Sequence, residues 1–345
     1  MLFRSGVILE ETDRTDEAVA AYRYAVKYSP GTHKRRMNRS GFFTHEAVEA
    51  LERLGTPWRG DEYLPDPEGV DINEDLIRAA SAGDVRSIGR LLKKGAFPDY
   101  RSHDNAMHGR TPIIAAALNG HIGAVKYLLE HGAVIDFSDE KGATPLGSVI
   151  EWSGEHDMIR FLVEHGADVN GKDPYGRALI LNERAIGDPV ILKILTDAGA
   201  DLNVSDEDGA SGIYLASSSG RMESAVFFIE HGADINSRGR GSSTPVMAAV
   251  LSGNHEMLRF LLDKGGSPDI PDYEGRTPLM AASEKSDPEA VALLIAAGAD
   301  VNARDSMGRS AMDIILDSGR RDDMEAFRKC VDLLTDAGAE LLHGK

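Results

Sequence analysis

The chain has 345 residues and a formal net charge of −18, with 38 Lys and Arg against 56 Asp and Glu. A single compact core rarely extends beyond about 300 residues, so this length predicts two domains or an elongated array. The acidic balance argues against a nucleic-acid partner, because such binding depends on Lys and Arg neutralising phosphates. No apolar stretch approaches the ~20 residues of a membrane span, so we expect no membrane partner. The single cysteine, Cys330, excludes an intrachain disulfide, and we expect a reducing, cytoplasmic compartment.

Residues 1–55 are predicted to form a small helical segment. Gly6, Ala18, Tyr22, Ala25 and Pro30 are spaced so that residues 2–30 resemble one tetratricopeptide unit, although the opening aromatic residue of that family is missing. One unit cannot build the groove that arrays of this kind use. We therefore expect it to pack against or cap the rest of the chain, with a partner site as the alternative.

Residues 56–72 are predicted to be a linker. Pro57, Pro65, Pro67 and Gly69 crowd this acidic stretch, and such clusters mark breaks between structured segments. The basic run at residues 33–39 is interpreted as a solvated segment rather than a targeting patch.

From residue 73 to the C-terminus, one motif of about 33 residues recurs. A threonine precedes a proline near the start of four copies, at Thr111, Thr144, Thr244 and Thr277. Each copy begins with a glycine, or with a serine in one case: Gly109, Gly142, Gly176, Gly209, Ser242, Gly275 and Gly308. This period and the Thr-Pro-Leu opening resemble the ankyrin-repeat family. The resemblance implies an all-α solenoid of eight helix-turn-helix units with projecting β-turns, over residues 73–345.

Physical chemistry explains the recurring residues of the motif. Threonine can cap a helix by accepting a backbone N–H, and proline is tolerated at the first helical position. Paired alanines such as Ala281 and Ala282 keep the first helix slim, so that neighbouring units can stack. Glycine ends the second helix because it adopts a positive φ without steric conflict.

Four copies depart from the pattern. The third is 34 residues long and contains Trp152. The fourth and fifth lack Thr-Pro, and Glu183 and Arg184 replace the small pair in the fourth. We interpret residues 176–218 as the weakest stretch of the array, with a dedicated charged site as the alternative. The last copy is stretched, which predicts a longer final helix suited to a C-terminal cap.

The sequence contains no convincing catalytic, metal or cofactor motif. His131, His165 and His231 recur at equivalent helix ends, so their periodicity predicts a structural role. Cys330 lies within a predicted helix without a neighbouring histidine, which favours a structural cysteine over a nucleophile. We therefore predict that the protein is not an enzyme and carries no cofactor.

The family resemblance implies a concave binding surface formed by the turns and the first helices. Residues of this sequence at such positions give the candidate partner-binding set: Met107, Arg110, Leu118, Trp152, Tyr175, Arg177, Tyr273 and Arg276. Trp152 and Tyr175 have the composition of an interface anchor, although Trp152 could instead fold into the local core. The arginines could pair with turn acids such as Asp173 and Asp272, or could bind an acidic partner.

These features predict a monomeric, non-catalytic scaffold that binds a partner protein through the concave surface. The alternative is a regulatory or inhibitory module whose acidic surface masks a basic patch on an enzyme or nucleic-acid-binding protein. Asn170 and Asn302 also resemble turn asparagines that are hydroxylated in some ankyrin proteins, but asparagine is also an ordinary turn residue.

Overall fold

The computed structural model describes residues 72–102, 109–317 and 323–340. The helical segment expected at 1–55, all but the last residue of the linker expected at 56–72, and Met107 therefore lie outside the described residues. The described residues divide into two compact units. One contains residues 72–102, 109–116 and 123–133, and the other contains 117–122, 134–317 and 323–340.

Within these ranges the fold is all-α, as the sequence predicts, and short helices alternate with turns. The helices are α1 (Ile72–Ser81), α2 (Val85–Lys93), α3 (Pro112–Leu118), α4 (Ile122–Glu130), α5 (Pro145–Ser148), α6 (His156–Glu164), α7 (Glu183–Gly187), α8 (Pro189–Asp197), α9 (Gly212–Ser218), α10 (Met222–Glu230), α11 (Pro245–Ser252), α12 (His255–Asp263), α13 (Pro278–Glu284), α14 (Pro288–Ala296), α15 (Ala311–Asp317) and α16 (Met324–Asp336). A π-helical turn, Val149–Ser153, follows α5 directly, and 3-10 turns occupy Leu179–Leu181 and Arg240–Ser242.

Threonine caps begin the first helices of four copies, as predicted. The hydroxyl groups of Thr111, Thr144, Thr244 and Thr277 accept the backbone N–H three residues later at 3.3, 3.1, 3.3 and 3.4 Å. Proline follows each threonine at the first helical position. The caps satisfy backbone donors that have no partner within the helix, and each contributes about 1 kcal/mol.

In the second unit, first helices pack on first helices and second helices on second helices. Helices α9, α11, α13 and α15 follow one another in contact, as do α12, α14 and α16. Ala248, Ala249, Ala281 and Ala282 are buried between them, which agrees with the role predicted for small residues in the first helices. The core is thus a series of layers, each made by neighbouring helix pairs.

The fourth copy replaces the threonine cap with a different one. Asn182 follows the 3-10 turn Leu179–Leu181, and its side chain accepts the N–H of Arg184 at 2.9 Å. The 3-10 turn buries all three of its residues. The missing Thr-Pro pair therefore does not leave the start of α7 uncapped.

The fifth copy compensates for its departures through long-range packing. A Cβ placed on Gly212 would lie 2.3 Å from the ring of the buried Phe228, so the glycine makes room for that ring. Gly239 likewise lies against the ring of Tyr214, where a Cβ would come within 2.4 Å. Residues 176–218 are thus packed in an alternative way, although their expected tendency to open locally stays a prediction.

The final helix is longer than its counterparts. Helix α16 has 13 residues, whereas α14 and α12 have nine each. Its inner side buries Cys330 and Leu334, and most of its other residues are partly or fully exposed. An exposed outer side is the form expected of a capping helix, and that role stays a prediction.

Candidate protein-binding surface

The turns that precede the first helices share one local construction. We call the series of five-residue turns at 139–143, 173–177, 206–210, 239–243, 272–276 and 305–309 the turn edge. In five of them an aspartate stands first and binds backbone N–H groups two and four residues later. In the fifth member of the series, Asp272 Oδ1 accepts from the N–H groups of Glu274 and Arg276, both at 2.9 Å. These side-chain bonds fix the turn backbone and so fix the direction of the residues it presents.

Neighbouring turns are linked to one another. Arg240 Nε lies 3.1 Å from Asp208 Oδ2. The N–H of Tyr273 donates to the Gly241 carbonyl at 3.0 Å, and that of Ser306 donates to the Glu274 carbonyl at 3.0 Å. The last four turns therefore form a continuous, hydrogen-bonded edge within the second unit.

Large apolar side chains project from this edge into solvent. Tyr175, Tyr273 and Met307 are 75%, 72% and 73% exposed. The Tyr273 hydroxyl donates to Glu274 Oε1 at 2.9 Å, and this bond raises the pKa of Tyr273 above its usual value. Because these side chains are exposed to solvent and not packed into the core, their apolar area remains available to a partner.

The turn arginines divide into paired and unpaired groups. Arg276 lies 3.0 Å from Asp272 Oδ2 and Arg309 lies 2.8 Å from Asp305 Oδ2, so the predicted pairing with turn acids exists at Asp272. Arg177 differs, because Asp173 accepts only its backbone N–H, at 2.9 Å. Among the described residues its guanidinium group forms no ion pair. Of these three, Arg177 is the one left for an external carboxylate.

Trp152 lies in the π-helical turn of the third copy. Five residues, Val149–Ser153, form this turn, and Gly154 ends it with φ 68° while its N–H donates to the Val149 carbonyl at 2.7 Å. A π-turn accommodates one residue more than an α-helix would, which explains the 34-residue spacing. Val149 and Ile150 are buried, whereas Trp152 is 72% exposed. Burial of Trp152 in the local core, the alternative reading of the sequence, is therefore wrong.

The other candidate residues lie in several places. Arg110 is partly buried just before α3, and Leu118 is the partly buried last residue of that helix. Trp152 ends the first-helix segment of its copy, whereas Tyr175 and Tyr273 belong to the turn edge. The candidate set is thus not one patch but residues at both ends of the first helices.

Several polar residues considered earlier have structural roles. His131, His165 and His231 each stack on an aromatic residue four positions earlier, with ring centroids 4.0 Å apart. Asn170 Oδ1 accepts the N–H of Asp201 at 2.9 Å, and Nδ2 donates to the Gly199 carbonyl at 3.2 Å. Asn302 bridges to Gly338 and Glu340 in the same way. Hydrogen bonds between neighbouring copies of the repeat account for these asparagines.

Sequence reasoning missed a pair of histidine–aspartate contacts between copies. His156 Nε2 lies 2.7 Å from Asp188 Oδ2, and His255 Nε2 lies 2.7 Å from Asp287 Oδ2. Each histidine opens a second helix, and each aspartate precedes the proline that opens the next one. The signal was present as a histidine followed 32 residues later by Asp-Pro, twice in the chain.

The described part of the chain contains no group of three or more His, Cys, Asp or Glu side chains arranged to hold a metal ion. The same part contains no helix long and apolar enough to cross a membrane.

A family model for ankyrin repeats in three copies matches residues 76–173, 183–272 and 239–305, which is more than half of the chain. The chain belongs to the ankyrin-repeat family. Ankyrin repeats are protein-interaction modules, so the turn edge and the first-helix ends belong to a fold used for binding. The model match does not count the units, so the predicted number of eight stays a prediction.

Three curated proteins illustrate how far the similarity extends. Palmitoyltransferase AKR1 of Yarrowia lipolytica is 28% identical over 125 residues, which are 36% of this chain and 16% of that protein. Protein PhlB of Serratia liquefaciens is 35% identical over 101 residues, or 29% of this chain and 40% of that protein. The mouse 2-5A-dependent ribonuclease is 35% identical over 91 residues, which are 26% of this chain and 11% of that protein. The ankyrin-repeat chain spans less than half of each relative.

Proposed function

We propose that this ankyrin-repeat protein is a non-catalytic scaffold that binds a partner protein through the turn edge and the exposed ends of its first helices. In the family architecture these elements line the concave surface. The observation that carries the proposal is the exposure of Tyr175, Tyr273 and Trp152, each about three-quarters accessible on a rigid backbone. Rigid aromatic side chains supply much contact area for little conformational entropy, and interfaces are enriched in them.

The turn construction supports the same conclusion. The Asp173 side chain holds the backbone of Tyr175, and a turn-to-turn hydrogen bond to Gly241 holds that of Tyr273. A surface that is already ordered loses little freedom on binding, which favours affinity. Arg177 adds an unpaired positive charge beside Tyr175, where it could contact a carboxylate of the partner.

The chemistry of Cys330 supports a binding role over a catalytic one. Its side chain is fully buried, and burial, followed by the charge of Asp287, raises the pKa of its thiol to about 11. A thiol in this state is a poor nucleophile. One such cysteine also suits a reducing compartment, and we place the proposed interaction in the cytoplasm with the scaffold as a monomer.

The test uses partners captured from cell extract by the full chain, identified by mass spectrometry and then purified. We expect the double substitution Trp152→Ala, Tyr175→Ala to weaken the affinity for such a partner at least about tenfold, since anchor residues dominate interface energy. Tyr273→Ala should weaken it as well. Met324→Ala is the matched control, because Met324 is an exposed apolar residue at the start of the capping helix α16. Unchanged affinity in the double variant, with the fold intact, would remove the site assignment.

A second candidate function is masking of a basic patch on another protein. The observation favouring it is the acidity of the turn edge, where Glu140, Glu207, Asp208 and Glu274 are all exposed. The two functions differ in their response to salt. Binding through the aromatic residues should change little with ionic strength, whereas masking of a basic patch should weaken steeply as salt screens the charges.

A further inference from the structure

A polar pocket lies at the end of the first helices opposite to the turn edge. Its volume is about 390 Å³, and it lies where the third, fourth and fifth copies meet in the second unit. Its lining residues are Glu151, Asn182, Glu183, Arg184, Gly187, Asp188 and Arg221. A volume in this range accommodates one or two side chains of another protein.

The π-helical turn forms one wall of the pocket. Glu151 lies in that turn, where its carboxylate accepts a hydrogen bond from Asn182 Nδ2 and its carbonyl accepts one from Arg184 Nε at 3.3 Å. Gly154 leaves space for the Arg184 stem, since a Cβ there would lie 2.8 Å from Arg184 Cδ. The exposed Trp152 is the next residue of the same turn, although its side chain does not itself line the pocket.

Arg221 occupies the position directly before a second helix, where several other copies have a capping residue. The second helices α2, α8, α12, α14 and α16 begin after a side-chain cap: Asp84, Asp188, Asn254, Asp287 and Asp323. Helix α10 begins after Arg221, which makes no side-chain cap, and α6 likewise begins uncapped after Glu155. Loss of a cap costs about 1 kcal/mol, and a positive charge near a helix N-terminus adds to the cost.

Among the residues that the structure describes, the Arg221 side chain gains no compensating partner. A Cβ placed on Gly187 would lie 3.7 Å from Arg221 Cζ, so the guanidinium group lies over the glycine that ends α7. Arg221 forms no ion pair with any residue that the structure describes. A residue that leaves a helix start uncapped and forms no other stabilising contact is typical of a residue retained for binding.

Most of the acids in the pocket are already engaged. Glu151 is bonded to Asn182, and Asp188 is bonded to His156 at 2.7 Å and to the Val190 N–H at 2.9 Å. Glu183 is the remaining carboxylate. The guanidinium groups of Arg184 and Arg221 therefore keep most of their donors free for carboxylates from outside the chain.

We propose that this pocket binds an acidic segment of a protein partner, with its carboxylates on Arg184 and Arg221 and an adjacent apolar side chain against Trp152. The inference rests on the proposed scaffold function and names the partner chemistry of one part of it. Arginine suits this role because its planar, always charged group binds a carboxylate through two parallel hydrogen bonds.

The experiment is a selection of random displayed peptides on the full chain, followed by affinity measurements with the synthetic peptides selected. We expect enrichment of peptides that combine Asp or Glu with a neighbouring aromatic or aliphatic residue. Arg184→Gln and Arg221→Gln should each weaken their binding about tenfold, as expected for a bidentate charge-assisted contact. Trp152→Ala should weaken it as well. Arg160→Gln is the matched control, because Arg160 is exposed on α6 and does not line the pocket.

Arg221→Asn separates binding from stability. It installs the cap that Asn254 supplies in the next copy, so this variant should unfold at a higher urea concentration than wild type and yet bind the acidic peptides about tenfold more weakly. A selection without an acidic motif, or acidic peptides that bind the Gln variants as well as wild type, would overturn the inference. So would peptides that bind only when phosphoserine replaces Asp or Glu. A captured partner protein could also fail to bind the Tyr175→Ala and Tyr273→Ala variants and still bind the Arg221→Asn variant. That result would support the proposed function and overturn this inference.

Discussion

His255 Nε2 lies 2.7 Å from Asp287 Oδ2, and the same aspartate caps α14 by accepting the Ala290 N–H at 3.1 Å. One carboxylate thus joins two neighbouring second helices and also starts one of them. Asp188 repeats this arrangement, with His156 on one oxygen and the Val190 N–H on the other. The packing of second helices is therefore linked to their capping.

The Asp188 pair predicts a pH dependence of stability. Partial burial raises the pKa of Asp188, but the bonds from His156 and the Val190 N–H outweigh it, so the net pKa lies below the ordinary value. A carboxyl with a lowered folded pKa stabilises the protein above its unfolded pKa of about 4, and loses that contribution as pH falls through the folded value. Asp188→Asn keeps the cap and removes the charge. We expect this variant to be about 0.5–1 kcal/mol less stable at neutral pH, with the difference shrinking below about pH 4.

The measurement is urea denaturation of both proteins across that pH range. Asp332→Asn serves as the control, because Asp332 is exposed in the middle of α16 and should show no such trend. A stability difference that is independent of pH would contradict the assignment to the charge of Asp188.

Gly212 is predicted to be intolerant of a side chain. Gly212→Ala places a methyl group 2.3 Å from the buried ring of Phe228, and overpacking of this kind costs about 1–3 kcal/mol. Gly123→Ala is the matched comparison, since Gly123 lies within α4 with no heavy atom within 4 Å of an added Cβ. That change should stabilise the protein by about 0.5–1 kcal/mol, because alanine favours helix. Thermal unfolding of both variants checks the opposite signs.

A second-site change makes the Gly212 prediction more specific. In a Phe228→Leu background the ring is gone, so Gly212→Ala should cost less than it does alone. Equal costs in the two backgrounds would show that the glycine is needed for another reason.

Asp272 is predicted to carry much of the stability of its turn. The side chain is almost completely buried, accepts two backbone N–H groups and pairs with Arg276 at 3.0 Å. Asp272→Ala leaves these donors without partners, which should cost about 2–3 kcal/mol. Asp263→Ala, an exposed aspartate at the end of α12, should change stability little. Hydrogen exchange of the N–H groups of Glu274 and Arg276 would locate the effect, and unchanged protection there would contradict it.

Cys330 is predicted to resist thiol reagents in the folded protein. It is the sole cysteine of the chain, it is buried, and its thiol pKa of about 11 leaves almost no thiolate at about pH 8. We expect Ellman's reagent to react only as fast as the packing of α16 opens, and to react rapidly in denaturant. Fast labelling without denaturant would show that this helix opens readily.

The sequence predicted the regular copies well because their determinants are local. A Thr-Pro pair specifies a helix start within three residues, and Thr111, Thr144, Thr244 and Thr277 all cap as expected. Exposure of Trp152 remained open because an extra residue at the end of a helix can be accommodated in more than one way. The spacing showed that a residue had been added, but only the structure shows the π-turn.

The irregular copies were harder to predict because their compensation is long-range. Gly212 and Phe228 are separated by 15 intervening residues, and Tyr214 and Gly239 by 24. A local sequence pattern does not indicate that a glycine makes room for an aromatic ring that is distant in the sequence. The arginine at position 221 could have been found from sequence, because the equivalent position in five other copies is Asp or Asn.

The π-turn at Val149–Ser153 has a consequence for protein engineering. The added residue is absorbed at the end of a first helix: α5 keeps its Thr144 cap, and both α5 and α6 keep their buried residues. Corresponding helix ends, such as Leu251–Gly253, are therefore positions where inserting one residue would present a new exposed side chain without shifting the register of the array. Binding specificity could then be changed by insertion as well as by substitution.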